Sequence, residues 1–268
     1  MKQRINLTKT DKKDGKPIIG TVIQLASPEL VEMLGACGFD YAWIDCEHGS
    51  MYLDHLVQML RAADATGITA FVRVPDHSPS FISRALDAGA TGIIVPGIEN
   101  ARQLQTVIAA SRYQDGDNGG KRGSCPGTRA TWHQASDWVS FMRSANRLIS
   151  VWALIENTQA IENIDEILDV PGLDAIVLGP FDLAQCMGHP GEVHHPDVDA
   201  AMENVVARAQ SKGVGVVASL FSAHPEDMRR ESRAWLDRGV TMFSTGSDRR
   251  LIMTAMRERY RAAKDLPA

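Results

Sequence analysis

Thr69-Ala70-Phe71-Val72-Arg73-Val74-Pro75-Asp76-His77-Ser78-Pro79-Ser80-Phe81-Ile82-Ser83-Arg84-Ala85-Leu86-Asp87-Ala88-Gly89-Ala90-Thr91-Gly92-Ile93-Ile94-Val95-Pro96 holds one full turn of the pattern that decides the fold. Thr69–Val74 is a short apolar run with β-branched residues, closed by Pro75, and reads as a buried strand. Pro79 stands where a helix can begin, an amphipathic stretch follows to Ala88, and Gly89 stands where it can end. Gly92–Pro96 is the next apolar run. Strand, helix and strand in this order make a right-handed crossover between parallel neighbours.

The alternation continues in both directions. Further candidate strands are Ile18–Leu25, Tyr41–Asp45, Ser150–Ile155, Ala175–Leu178, Val214–Leu220 and Thr241–Ser244. Further candidate helices are Pro28–Leu34, Leu53–Ala65, Ala101–Ser111, Thr158–Leu168, Pro196–Ser211, Pro225–Arg238 and Asp248–Ala262, with an extra helix at Asp137–Ala145. Gly35, Gly67, Gly89, Gly172, Gly213 and Gly239 punctuate the helix ends. Eight β–α units in 268 residues predict a single-domain α/β fold, a (β/α)8 TIM barrel spanning residues 1–268. An open dinucleotide-binding sheet is the competing arrangement, but no GxGxxG follows the first strand, and Gly213-Val214-Gly215 precedes a strand as a turn would.

Composition narrows the function. Hydrophobic residues are 44% and charged residues 23%, which suits a large packed core. The net charge is -5 and there is no long basic run, so a nucleic-acid partner is not expected. No stretch approaches 18 consecutive apolar residues, so no membrane span is expected. Cys37, Cys46, Cys125 and Cys186 form no CxxC pair, and the first six residues lack a signal-peptide core. A cytoplasmic enzyme with reduced thiols is the expectation.

Tyr113–Ser136 interrupts the rhythm. It is polar and rich in glycine, and at about residues 113–136 it reads as a long active-site loop whose Arg122, Arg129, Trp132 and His133 reach an anionic substrate, or equally as a plain surface loop.

In such barrels the chemistry sits at the C-terminal ends of the strands. Asp45-Cys46-Glu47-His48 ends strand two, Arg73 ends strand three, Glu156-Asn157 ends strand five, and Gly179-Pro180-Phe181-Asp182 follows strand six. Glu156 and Asp182 belong to adjacent strands about 5 Å apart, and a hard divalent cation (Mg2+, Mn2+ or Co2+) would relieve their repulsion. Each carboxylate could instead cap a helix or pair with an arginine. Histidine as a residue type can take and return a proton near neutral pH, so His48 suits a general base, with Asp45, Glu47 or Asp87 as its orienting acid. Arg73 fits a substrate carboxylate or enolate oxygen, and fits equally a salt bridge to Asp45 or Glu47. His189, His194 and His195 share one loop, but a zinc site there lacks a third partner at useful spacing. No lysine ends a strand, which counts against a Schiff-base aldolase.

Several stretches carry a resemblance. They are Phe39–His48, Val72-Arg73-Val74-Pro75, Ala85–Ala90, Ile93-Ile94-Val95-Pro96, Ile155-Glu156-Asn157 and Gly179-Pro180-Phe181-Asp182-Leu183-Ala184. In this order they resemble the HpcH/HpaI family of class II pyruvate aldolases, the 4-hydroxy-2-oxoheptanedioate aldolases. The resemblance implies that Glu156 and Asp182 hold the divalent metal, that Arg73 stabilises an enolate oxygen, and that His48 paired with Asp87 moves protons. It also implies that the backbone around Gly179 and Phe181 holds the pyruvate carboxylate, with Asp45 and Glu47 supporting these groups. The implied reaction is the reversible cleavage of a 4-hydroxy-2-oxo acid to pyruvate and an aldehyde. The implied assembly is a homo-oligomer, a hexamer built as a trimer of dimers with sites near subunit contacts. An alternative within the same fold is condensation of a 2-oxo acid with an acyl donor, as in citrate-synthase-like or macrophomate-synthase-like members. A barrel that only binds a small carboxylate is a third reading, opposed by the ionisable groups at four strand ends.

The sequence departs from the family in three places. Arg122–Ala130 is shorter than the family's arginine- and glycine-rich loop motif and contains Pro126, Asp115–Lys121 resembles an insertion, and Leu154 replaces a glutamine before the Ile155-Glu156 pair.

Overall fold

Eight parallel strands close on themselves: β1 (Ile18–Ile23), β2 (Tyr41–Asp45), β3 (Thr69–Arg73), β4 (Gly92–Val95), β5 (Ser150–Ile155), β6 (Ala175–Leu178), β7 (Gly215–Ser219) and β8 (Met242–Ser247). Each pairs with its sequence neighbours, and β1 pairs with β8 to complete the barrel. The computed structural model describes residues 6–9, 16–222 and 224–264. The helices are α1 (Pro28–Cys37), α2 (Leu53–Thr66), α3 (Pro79–Asp87), α4 (Ala101–Ser111), α5 (Trp138–Leu148), α6 (Thr158–Glu162), α7 (Ile164–Leu168), α8 (Pro180–Cys186), α9 (Pro196–Ser211), α10 (Pro225–Asp237) and α11 (Asp248–Lys264). The (β/α)8 barrel expected from the alternation is therefore present.

Period-two alternation separates two apolar clusters. Residues such as Ala42, Ile44, Val72, Ile93, Ala153 and Ile176 face outward and meet the helices. Tyr41, Trp43, Phe71, Trp152, Leu154 and Val177 face the barrel axis. Phe71 and Trp152 stack at 3.8 Å, and the Tyr41 ring meets both edge-on. The barrel is thus a packed core rather than a pore. Gly92 leaves room for the Phe71 ring, whose Cε1 would lie 2.5 Å from an added Cβ. Continuing inward two residues at a time leads from Trp43 to Asp45, Phe71 to Arg73, Leu154 to Glu156 and Val177 to Gly179. The same parity that fills the core aims these four positions at the mouth.

Several boundaries differ from expectation for identifiable reasons. α1 does not stop before Gly35. It runs to Cys37 and ends at Gly38, whose φ of 87° suits a left-handed cap. Gly35 instead lets α1 approach Thr66 of α2, since an added Cβ would lie 2.5 Å from the Thr66 side chain. The expected helix Thr158–Leu168 divides at Asn163, which leaves helical geometry and donates its side-chain amide to Glu99 O at 2.9 Å. α8 is a further helix, absent from the candidate helices read from the sequence.

The long segment after α4 does not reach the strand ends of its own barrel. It links the end of a helix to the start of β5, so in its own chain it lies at the N-terminal face of the barrel, away from the strand ends that carry the chemistry. Arg122 donates to Asp87 Oδ1 at 2.6 Å, and Arg129 reaches Asp64 and the Ala88 carbonyl. Both arginines pin the C-terminal ends of α2 and α3. Trp132 and His133 both have positive φ, 55° and 65°, and Trp132 is exposed. α11 is also peripheral. Asp248 is its one buried residue, while Leu251, Met253, Met256 and Tyr260 are exposed. Among the described residues, no helix is long and apolar enough to cross a membrane.

Candidate active site

β2 and β3 pair with Asp45 directly opposite Arg73. The register therefore makes the ion pair: Arg73 Nε donates to Asp45 Oδ1 at 2.9 Å and Nη2 to Oδ2 at 2.6 Å. Glu47 Oε2 lies 3.0 Å from Arg73 Nη1. Asp45 also accepts from Gln24 Nε2 at 3.0 Å and from the backbone N–H groups of Glu47 and His48, each at 3.1 Å. Burial acts to raise the Asp45 carboxyl, but the Arg73 hydrogen bond and charge outweigh it and hold it below the usual carboxylate range. Of the five guanidinium N–H groups of Arg73, two are hydrogen-bonded, both to Asp45, while Nη1 only ion-pairs with Glu47, so three remain open to another ligand.

Ile155 pairs with Leu178, so one step further Glu156 stands opposite Gly179. A Cβ on residue 179 would lie 2.5 Å from Glu156 Cβ, so only glycine fits beside the glutamate. Glu156 Oε1 accepts from Gly97 N–H at 2.6 Å. It does not cap the following helix. Asn157 does, accepting from Ala160 N–H at 2.8 Å. Asp182 occupies the first turn of α8, a favourable place for a carboxylate in any helix.

Two cavities meet at these carboxylates. One, of about 250 Å³, opens from the barrel axis and is lined by Arg73, Glu156, Gly179, Phe181 and Asp182, with Trp43 and Leu154 forming apolar wall. The other, of about 630 Å³, is lined by Glu47, His48, His77, Gly97, Glu156 and Asp182. Burial pushes the Glu156 carboxyl up to about 7, helped by repulsion from Asp182 and Glu47 and opposed by the Gly97 N–H and Arg73. Burial also raises Glu47, against the pull of Arg73 and His48. Three carboxylates thus crowd one cleft with less positive charge than they need. This is a donor set that fits a hard divalent cation, and the glycine at 179 keeps the space beside Glu156 open.

The remaining expected residues are distributed as follows. His48 is exposed, with Nε2 3.7 Å from Glu47 Oε2. Asp87 forms no hydrogen bond or ion pair with His48 in this chain; it lies at the end of α3 and holds Arg122. The Gly179 N–H is committed to the Ile155 carbonyl at 3.1 Å. The open amides are those of Phe181 and Asp182, which lie in the first turn of α8 and have no acceptor one turn back. The Phe181 ring is exposed and meets Phe221 edge-on at 5.3 Å.

The histidine loop does find a third partner, contrary to expectation. Asp197 Oδ2 lies 3.3 Å from His189 Nε2 and 3.6 Å from His195 Nδ1. The two imidazoles stack at 3.4 Å with 13° between their planes, so one ion cannot lie in the plane of both rings. His195 Nδ1 also accepts the Asp197 N–H as the cap of α9, and this group lies outside both cavities.

A family model described as HpcH/HpaI aldolase/citrate lyase matches residues 19–255. The chain belongs to this family. It is 33% identical over 258 residues to the 2-dehydro-3,6-dideoxy-6-sulfogluconate aldolase of Pseudomonas putida, covering 94% of each chain. An HpcH/HpaI aldolase/citrate lyase family protein from Burkholderia cenocepacia J2315 superposes with a TM-score of 0.88 at 27% identity, covering 97% of this chain and 99% of that one. The citrate synthase SbnG superposes with a TM-score of 0.81 at 29% identity, covering 94% of each. Membership of the HpcH/HpaI family makes the chain an enzyme of the lyase class.

Sequence reasoning missed Gln24, Gly97, Ser219, Phe221, Ser244 and Arg250, which line or support the cavities. For Gln24, Ser219 and Ser244 the signal was strand parity, since each shares the inward alternation of its strand. Arg250 lies beyond the strand, on α11, where strand parity says nothing.

Proposed function

We propose that this HpcH/HpaI protein is a divalent-metal-dependent aldolase that reversibly cleaves a 4-hydroxy-2-oxo acid to pyruvate and an aldehyde. The observation that carries this reading is the pair Glu156 and Asp182, shared by two cavities beside Arg73 and a glycine that only this packing requires. A Mg2+, Mn2+ or Co2+ ion held by the two carboxylates would supply Lewis acidity toward the carboxylate and 2-oxo oxygens of pyruvate.

The chain's own groups have definite tasks in this reading. The N–H groups of Arg73 that Asp45 does not take meet the oxygen on which enolate charge develops. The first-turn amides of Phe181 and Asp182 bind the pyruvate carboxylate. Trp43 and Leu154 exclude water from one side. His48, on the wall of the larger cavity, takes and returns the proton, and Asp45 and Glu47 fix the arginine that faces the substrate.

The test is exchange of pyruvate methyl protons in D2O, followed by NMR with Mg2+, Mn2+, Co2+ or EDTA. Exchange that needs metal and stops with EDTA supports the reading, and its absence with every metal defeats it. His48→Ala is expected to retain metal and to slow exchange by roughly 10^2–10^4-fold, the usual contribution of a general base. Exchange near the wild-type rate in that variant would move the base elsewhere. A condensing reaction with an acyl donor is the second reading, favoured by the likeness to citrate synthase SbnG. Exchange accompanied by acyl transfer and no aldehyde cleavage would select it.

We further propose that the enzyme works as a homo-oligomer, in the hexameric trimer-of-dimers arrangement that the family resemblance suggests. Asp87 lies at the opposite barrel face from His48, so a His48–Asp87 pair needs Asp87 of a second copy. The exposed apolar side chains of α11 and the exposed, left-handed Trp132 support such contacts. Homomers of His48→Ala and of Asp87→Asn are each expected to exchange slowly. Co-expressed mixtures are expected to exceed the sum of the two, because some sites regain both residues. Mixtures that never exceed that sum would place Asp87 outside the site.

A further inference from the structure

β8 carries an irregularity beside the smaller cavity. Gly20 pairs with Ser244, but Val22 pairs with Ser247, so β8 has one residue more than β1 over this step. Gly246, with φ of 86°, takes up the bend. A bulge of this kind re-aims side chains. Here Ser244, on the inward alternation, and Ser247, which regular alternation would turn outward, both line the cavity. Ser219 at the end of β7 lines it as well, and α11 then brings Arg250 to the mouth.

These groups lack partners. Among the described residues, Arg250 has no carboxylate or hydrogen-bond partner, and neither do the side-chain hydroxyls of Ser219, Ser244 and Ser247. The Ser244 hydroxyl and the Trp43 Nε1–H are buried on this cavity wall without any hydrogen bond, with their residues only 1% and 3% exposed. Buried polar groups left this way are rare and call for a ligand or water. The other cation on the wall, Arg73, is tied to Asp45 and Glu47. Arg250 is therefore the uncommitted positive charge of the cavity that Glu156 and Asp182 also line.

We infer that Arg250 and the serines of β7 and β8 form a subsite for the far end of the acceptor aldehyde, and that they select a short hydroxylated aldehyde carrying a terminal anion. The inference rests on the aldolase reading for the word acceptor. The carboxylates and Arg73 occupy the β3, β5 and β6 side of the smaller cavity, and the rest of that cavity's lining, toward β7 and β8, is where the aldehyde is placed. Its hydroxyl meets the serines and its anion, a carboxylate, sulfonate or phosphate, meets the guanidinium fork.

Two measurements test this. In the first, pyruvate addition to glyceraldehyde 3-phosphate and to succinic semialdehyde is compared with addition to glyceraldehyde and propanal. The wild type is expected to favour the anionic member of each pair by at least about tenfold in kcat/KM, and Arg250→Gln to lose that preference. Pyruvate proton exchange should stay unchanged in the variant. A preference that survives in Arg250→Gln, or a wild type that favours neutral aldehydes, overturns the subsite. In the second, 2-hydroxyethanesulfonate and ethylene glycol are titrated calorimetrically into the metal-loaded wild type and variant, with oxalate saturating. Sulfonate binding at least about tenfold weaker in Arg250→Gln supports the subsite even if proton exchange fails and the aldolase reading falls. Equal binding by both proteins overturns it.

Discussion

Asp182→Asn is expected to weaken Mn2+ binding by at least about 10^2-fold and to abolish most metal-dependent proton exchange. Residues that only orient a metal ligand already contribute 10–100-fold in affinity, so loss of a charged ligand should do at least as much. The fold should tolerate the change. Asp182 sits in the first turn of a short helix, where its charge contributes roughly 0.3–1 kcal/mol. Asparagine keeps the size and removes the charge, so thermal unfolding of the metal-free protein should move little. Calorimetric titration with Mn2+, beside an unfolding curve, separates binding from folding. Unchanged affinity would remove Asp182 from the metal site and leave it as a helix-end carboxylate.

Arg73→Met should be costly in a different way. Asp45 is fully buried and depends on Arg73 for a two-pronged hydrogen bond. Removing one partner of a buried ion pair costs about 3–5 kcal/mol, because the other charge stays buried. For a chain of this size that corresponds to a fall in Tm on the order of 10 °C. The loss has a pH signature. In the wild type the lowered Asp45 pKa stabilises the fold above the unfolded value, near 3.8, and that stabilisation is lost as pH falls through the still lower folded value. Without Arg73, burial dominates and raises the folded pKa. Asp45 then destabilises the fold at neutral pH, and the penalty shrinks as acid protonates it. Denaturant unfolding from pH 7 down to pH 4 should show the variant's deficit narrowing, and Asp45→Asn added to Arg73→Met should restore part of it. A deficit that is the same at every pH would mean that only packing was lost. Turnover should be lost in either case, because the cavity then lacks its central guanidinium.

The barrel was legible because its signal is local and repeated. Apolar runs of strand length, helix starts at Pro28, Pro79, Pro196 and Pro225, and glycines such as Gly67 and Gly89 each report on their own neighbourhood. The strand-end residues Arg73 and Glu156 were legible for the same reason. What was not legible depends on register and on which end of the barrel a connection serves. Asp45 meets Arg73 because those two residues pair across strands, and a single sequence states no register. The segment after α4 has the composition of a functional loop, but helix-to-strand connections return to the other face. α8 was not legible because Gly179-Pro180 suits a turn as well as a helix start. Asp197 completes the histidine group only because α9 begins where His195 caps it.

The inward alternation along β2, β3, β5 and β6 has a consequence for how this chain can change over time. Between Trp43 and Asp45, Phe71 and Arg73, Leu154 and Glu156, or Val177 and Gly179, one residue inserted or deleted would swing the polar group out among the helices and an apolar one into the mouth. Substitutions along these strands can be absorbed one by one, but changes of length cannot. At the other face of the barrel the run Asp115–Lys121 bears no such phase relation. Insertions and deletions among relatives should therefore gather there and in similar connections, while the four strand segments keep a constant count of residues even where their identities drift.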